Sequence, residues 1–296
     1  MLQEANCELD ILYNAFQVIQ NENPEDFNCE KLVRFYYDEN GNTFSPYARF
    51  FSFLVAYNKF GGFPKIVSDK DFKKIKADEI YHGFKESKYA ADFIFDISYH
   101  LGVCKAFGTY FSNKFHDSLN YTWTRAKNKI NDYLDYVVSD KKKIIKAKVV
   151  SDNFIHIDDV KKLKDNIMYT RDFNSIDNPS VRQKLKDLYE YCFKYDGFED
   201  FMKLGLNPRG DFFDAIVADE KMLALYLGYD YMIKDPQDKG RSIHTVVFNR
   251  SKIVFPESEV ERFKEVSEKH KESSYILSSL DDVILEAENE RTWYYL

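Results

Sequence analysis

The chain has 296 residues and a mass of 35.1 kDa, with 42 Lys and Arg against 49 Asp and Glu, a formal charge of −7. Apolar residues at 44% and aromatics at 17% exclude a disordered chain, while 11 Gly and 7 Pro exclude collagen-like and low-complexity architectures. The acidic balance argues against a protein that wraps nucleic acid through counterion release. Cys7, Cys29, Cys104 and Cys192 show no C-x-x-C spacing, so reduced thiols in a cytosol-like compartment are expected in place of a disulfide framework or a zinc site. The first residues, MLQEANCELD, are acidic, and no stretch approaches ~18 uncharged apolar residues. Neither a signal peptide nor a membrane span is expected, and a cytoplasmic location follows.

Residues 1–60 read as helical, with Leu9, Leu12, Ala15, Phe16 and Ile19 recurring at three- and four-residue steps. Asn58-Lys-Phe-Gly-Gly-Phe-Pro-Lys65 is a turn signal where a second region begins. Five of the eleven glycines fall between Gly61 and Gly108, beside short strand-like runs, where they mark bends or close backbone approach. Strands are predicted at 79–82, 108–112 and 144–150, with a helix from Asn113 through Leu119 and Trp123 towards Tyr136. Further helices are predicted at 158–165 and 184–204, and another at 221–228 ended by Gly228. Tyr229 to Ile233 reads as a strand, followed by a polar loop. Residues 243–249 and 251–255, β-branched and aromatic, are the best strand candidates. Glu257 to Glu272 reads as a charged surface helix. Strands and helices interspersed without strict βαβ alternation indicate an α+β fold.

The common hydrolase, kinase and metalloenzyme classes lose most of their support: there is no G-x-x-x-x-G-K-[ST], no G-x-G-x-x-G after a strand, no H-E-x-x-H and no G-x-S-x-G. The six histidines show no metal-ligand spacing, so no metal is expected. Three segments remain: Ile80-Tyr-His-Gly-Phe84, Gly108-Thr-Tyr-Phe-Ser112 with the following Asn113-Lys-Phe-His-Asp-Ser118-Leu-Asn-Tyr121, and the strand pair 243–255. Their order and spacing resemble the ADP-ribosyltransferase superfamily, in the His-Tyr-Glu branch of diphtheria toxin and the poly(ADP-ribose) polymerases. That branch carries a strand ending in His-Gly, then a Gly-x-Tyr-Phe-Ala-like strand, then a Ser-x-x-Tyr on the next helix. Lys65 to Phe72, Leu227 to Asp230 and Val246 to Ser251 look like parts of phage and bacterial modules of this type. The resemblance spans residues 50–255.

It implies NAD as the ADP-ribose donor, with His82, Gly83, Tyr110, Ser118 and Tyr121 binding it. The residue types suit the task independently. Two tyrosines can sandwich a pyridine ring, with aromatic pairs contributing ~0.5–1.5 kcal/mol beyond area burial. Gly83, lacking Cβ, lets the backbone approach the carboxamide, and Ser118 Oγ can add a bond. His82 resembles the family histidine that bonds the adenosine ribose. One departure matters: where the family has a Glu that bonds the nicotinamide ribose, alignment places His244. A neutral His can accept a hydroxyl bond, whereas a protonated one opposes a developing cation. His82, Tyr110 and His244 are thus the candidate catalytic residues. Each also has an ordinary reading. His82 and His244 can be packed strand residues, Ser118 a helix serine, and the tyrosines core aromatics in a chain with 22 Tyr and 26 Phe.

The expected architecture is α+β, a split antiparallel two-sheet ADP-ribosyltransferase-like core. It comprises a helical region at 1–60, an NAD-binding domain at 61–256 and a helical tail at 257–296. The expected function is mono-ADP-ribosylation by a phage or bacterial effector, its target a protein ahead of a nucleic acid, with no membrane partner. The alternatives are an inactive binding module, such as a virion-associated protein, and an NAD glycohydrolase.

Overall fold

The computed structural model describes residues 2–22, 36–37, 43–44, 46–60, 62–83, 108–119, 124–126, 136–138, 144–193, 208–217, 219–234 and 243–262. Helix α1 (Leu2–Glu22) buries Leu9, Leu12, Phe16 and Ile19, the stripe its spacing predicts. Short strands β1 (Tyr36–Tyr37) and β2 (Thr43–Phe44) pair with each other before α2 (Pro46–Tyr57), whose Phe50, Phe51 and Leu54 are wholly buried. Farther along, α6 (Pro179–Phe193) begins five residues before the predicted start, because Asn178 Oδ1 accepts from the amides of Ser180 and Val181, and Pro179 suits the first helical position. The part of the predicted 184–204 helix beyond Phe193 lies outside the described residues. Helix α7 (Pro208–Val217) and helix α8 (Glu220–Tyr226) follow; α8 is capped by Asp219 and buries Met222 through Tyr226 on every side. Gly228, at φ +87°, ends this last run in the left-handed region that favours glycine.

All these helices feed one apolar cluster with Ile155, Met232 and Val246 of the sheet, so the N-terminal helices share a core with the chain's later two-thirds. Phe212 sits at its centre, edge-on to Tyr13, Phe50 and Tyr191 and tilted against Phe16, at centroid distances of 5.5–6.3 Å.

The fold is α+β. Its main sheet has eight strands: β3 (Lys65–Val67), β4 (Ile80–Gly83), β5 (Thr109–Ser112), β8 (Ile144–Val149), β9 (Phe154–His156), β10 (Tyr231–Lys234), β11 (His244–Val247) and β12 (Ile253–Pro256). They lie in the order β3-β12-β8-β4-β5-β11-β10-β9, antiparallel except at the two outer pairs, β3 with β12 and β9 with β10. Side-chain alternation divides the faces. Tyr110, Met232 and Val246 meet the helical core, while Ile80, Phe111, Ile145, Ala147, Val247, Ile253 and Phe255 form a second cluster.

Two joints interrupt this order. Along β8, Ile144 to Ala147 pair with β4, whereas Lys148 and Val149 pair with β12. Between β4 and β5 there is a single registered pair, Tyr81 with Ser112. Beyond that pair no further β4–β5 register is present among the described residues, so the pairing parts there while all eight strands remain one sheet. On one side of the parting lie β3, β12, β8 and β4, and on the other β5, β11, β10 and β9.

Small elements complete the structure. Helix α3 (Asp69–Lys74) is capped by Ser68, and the buried Lys148 donates to its last carbonyls, Phe72 at 3.2 Å and Ile75 at 2.8 Å. Helix α5 (Ile157–Asp165) matches its predicted span within a residue and runs on into a π-turn at Asn166–Thr170. Helix α9 (Glu257–Arg262) is the described part of the charged helix. The expected helix from Asn113 to Tyr136 is corrected. Helix α4 is one turn, Phe115–Ser118, and β6 (Thr124–Ala126) pairs antiparallel with β7 (Tyr136–Val138). Tyr136-Val-Val138 and Thr124 favour a pleated surface over a helix, and that preference prevails. Among the described residues no helix is long and apolar enough to cross a membrane.

Candidate functional site

Beside the parting between β4 and β5 lies a small cleft of about 40 Å³, partly open to solvent. Five of the six residues nominated from sequence line it: His82, Gly83, Tyr110, Ser118 and His244, joined by Tyr81, Phe111 and Ser112. The sixth, Tyr121, lies outside the described residues. The sequence brings these groups together through strand order: β4 carries His82 and Gly83, β5 carries Tyr110, and β11, on the far side of β5, carries His244 opposite Ser112.

His82 bridges the parting. Its Nδ1 lies 2.6 Å from the Tyr110 carbonyl oxygen, which only accepts, so Nδ1–H is the donor and Nε2 carries the lone pair. Antiparallel pairing at this carbonyl is thus replaced by a side chain, and the ring stands edge-on to Phe111 at 5.8 Å. Burial pushes the imidazole down to about 4 from 6.5, against the opposing Tyr110 carbonyl, which keeps the ring neutral at pH 7. A folded-state pKa below the unfolded one means stability is full above pH 6.5 and is lost as pH falls towards 4, where the unfolded chain binds a proton that the folded chain refuses. Relative to His82→Gln, the wild type should lose up to about 3 kcal/mol between pH 7 and pH 4. Urea titrations of both proteins at the two pH values check this; parallel losses would remove His82 from the account.

Ser118 is buried at the end of α4, and its Oγ donates to the Tyr81 carbonyl at 3.0 Å, tying α4 to β4 one residue before His82. The hydroxyl proton is spent there, so towards a ligand this oxygen acts as an acceptor. Tyr110 is half-buried, packs against the helical core and has the Lys221 ammonium 5.9 Å from its ring centroid. Burial pulls the Lys221 ammonium down, but Tyr110 and Asp219 outweigh it, and the ammonium is held above its ordinary value. His244 is pushed down by burial and by Lys234 across the β10–β11 pair, against an opposing pull from Asp117. Both histidines of the cleft are therefore biased towards the neutral form.

Among the described residues no group of three His, Cys, Asp or Glu could hold a metal ion. Cys192 is buried in the helical core, where desolvation raises its thiol, and takes no part in the cleft. Searches against protein-family models, curated proteins and solved structures found nothing that matches this chain.

One residue beside the cleft escapes sequence reasoning. Asp117, directly before Ser118, has its Oδ2 shielded from solvent with no hydrogen-bond partner among the described residues. As one of 49 carboxylates it has no signal in the sequence beyond its place in the Ser-x-x-Tyr segment.

Proposed function

We propose that this chain transfers a single ADP-ribose from NAD to a macromolecular acceptor, a protein ahead of a nucleic acid, as an effector acting on a host or competitor component. The observation that carries the reading is convergence. Three segments separated by tens to more than a hundred residues, nominated by order and spacing, line one cleft at the place where the sheet parts. The parting itself, four strands on either side of one registered pair, supports a split two-sheet core. Neutral His82, with its Nε2 lone pair, suits a ribose hydroxyl, and Gly83 presents backbone without a Cβ. NAD supplies the labile glycosidic bond to nicotinamide. When it breaks, its electron pair leaves with nicotinamide, the acceptor bonds to C1′, and the acceptor's proton passes to the neutral imidazole of His244. Positioning of the acceptor supplies most of the rate.

His244 in the place of a Glu favours a second reading, a binding module built on the same fold without turnover. One experiment separates them: purified protein incubated with adenylate-labelled NAD and bacterial lysate, following labelled macromolecules and free nicotinamide. Label on a defined macromolecule, abolished in a His82→Ala/Tyr110→Ala variant, is the expected result. Nicotinamide without label indicates a glycohydrolase, and neither product indicates the binding module.

A further inference from the structure

The first turn of a helix disfavours a cation, because its free amides already present partial positive charge. Lys221 nevertheless stands in the first turn of α8, and its side chain turns inward, only 13% exposed. A buried ammonium persists where other groups compensate for it, and two do so here. Asp219, the cap of α8, accepts from the Lys221 amide through Oδ1 at 2.7 Å and brings Oδ2 to 3.5 Å from the Lys221 ammonium. Tyr110 of β5 is the other. The ammonium donates to its side chain, whose one polar atom is the phenol oxygen, and lies 5.9 Å from the ring centroid.

Tyr110 needs such a hold. Strands β4 and β5 share a single registered pair, Tyr81 with Ser112, and at Tyr110 the bond from His82 Nδ1 stands in for the ladder. His82 thus fixes the residue by its carbonyl, and Lys221 fixes it by its hydroxyl. Lys221 itself does not line the cleft, so it acts on a ligand there only through Tyr110.

We propose that Lys221 is a positioning residue of this cleft, holding the Tyr110 ring from the hydroxyl end in the orientation that receives nicotinamide. This rests on the NAD reading above, which gives Tyr110 that role. A ring already in place spares the ligand the ordering of a side chain, so the gain is in affinity for whatever stacks on it.

The test measures binding of ADP-ribose, which lacks nicotinamide, and of carbocyclic NAD, whose bond to nicotinamide does not break. Both are followed by equilibrium dialysis against full-length wild type and variants. Lys221→Met keeps the apolar stem and removes the donor. Its affinity for carbocyclic NAD is expected to fall about 3–10-fold, while that for ADP-ribose stays within about twofold of wild type. Lys221→Arg, a cation with donors, recovers most of the loss. Tyr110→Phe removes the same bond from its other end, weakens carbocyclic NAD by a similar factor, and adds little to Lys221→Met in the double variant. Equal weakening of both ligands by Lys221→Met would make the lysine structural and overturn the assignment. Undiminished affinity for carbocyclic NAD in either single variant, or additive losses in the double, would do the same. If Lys221→Met does not fold, Tyr110→Phe alone decides, by whether affinity for carbocyclic NAD falls. Wild type that binds neither ligand overturns the NAD reading, and the role of Tyr110 with it, before any substitution is compared.

Discussion

Phe212→Ala should destabilise the protein by about 3–5 kcal/mol, the upper range for a buried aromatic. Phe212 is fully buried and touches four aromatic rings, contributed by α1, α2 and α6. Truncation leaves a void that those rings cannot close, because Phe16 and Phe50 are themselves packed at 5.6 Å and Tyr191 is tied by its hydroxyl to Asp10 at 2.6 Å. Each edge-on contact also carries ~0.5–1.5 kcal/mol beyond its buried area. Thermal unfolding should show Tm lowered by about 5–8 °C. None of the four rings around Phe212 lines the cleft, so on the proposed function a variant still folded at assay temperature should keep the wild type's response to NAD. A Tm within about 2 °C of wild type would mean that the cluster is not the main support of the helical layer.

Gly108→Ala should cost about 3–5 kcal/mol, for a different reason. Gly108 enters β5 at φ +90°, a conformation that strains any residue with a Cβ. An added Cβ would also stand 2.9 Å from Val246 Cγ1 and 3.0 Å from the Val247 carbonyl oxygen, and the second of these is backbone of the adjacent strand. Relief requires β5 to move away from β11, and Tyr110 with it. Stability should therefore fall, and on the proposed function the response to NAD should fall with it. Gly228→Ala is the control: φ is +87° there, but the nearest atoms are 3.7 Å away, so only the conformational strain, about 1 kcal/mol, is expected. Equal Tm losses in the two variants would show that the contact with β11 is immaterial.

Local signals carried much of the architecture. The stripe Leu9, Leu12, Phe16, Ile19 is the buried face of α1, and the β-branched runs at 144–149 and 244–247 are strands. Glycines beside strands do mark close approach: a Cβ on Gly62 would lie 2.9 Å from Ser251, and Gly108 meets Val246. Helix ends were less legible, since α6 starts at a cap whose two bonds are visible only once the chain is folded. The one-turn α4 was overextended because Leu119 and its neighbours continue an apolar period that β6 and β7 then break. The cleft was legible as residues but not as a place. His82 and Tyr110 meet through long-range pairing, and the parting depends on where that pairing stops. Asp117 had no such signal, because only the shielding of its Oδ2 sets it apart among 49 carboxylates.

His82 holds two offices in one ring. It closes the Tyr110 carbonyl across the parting, and on the proposed function its other nitrogen accepts from a ribose hydroxyl. A descendant of this chain that had abandoned chemistry would still need the first of these to keep its sheet together, so it would retain His82 long after the second had lost its use. The anchored Ser118 has the same inertia, through the Tyr81 carbonyl. Across descendants, the histidine would therefore report ancestry, whether or not the work continues.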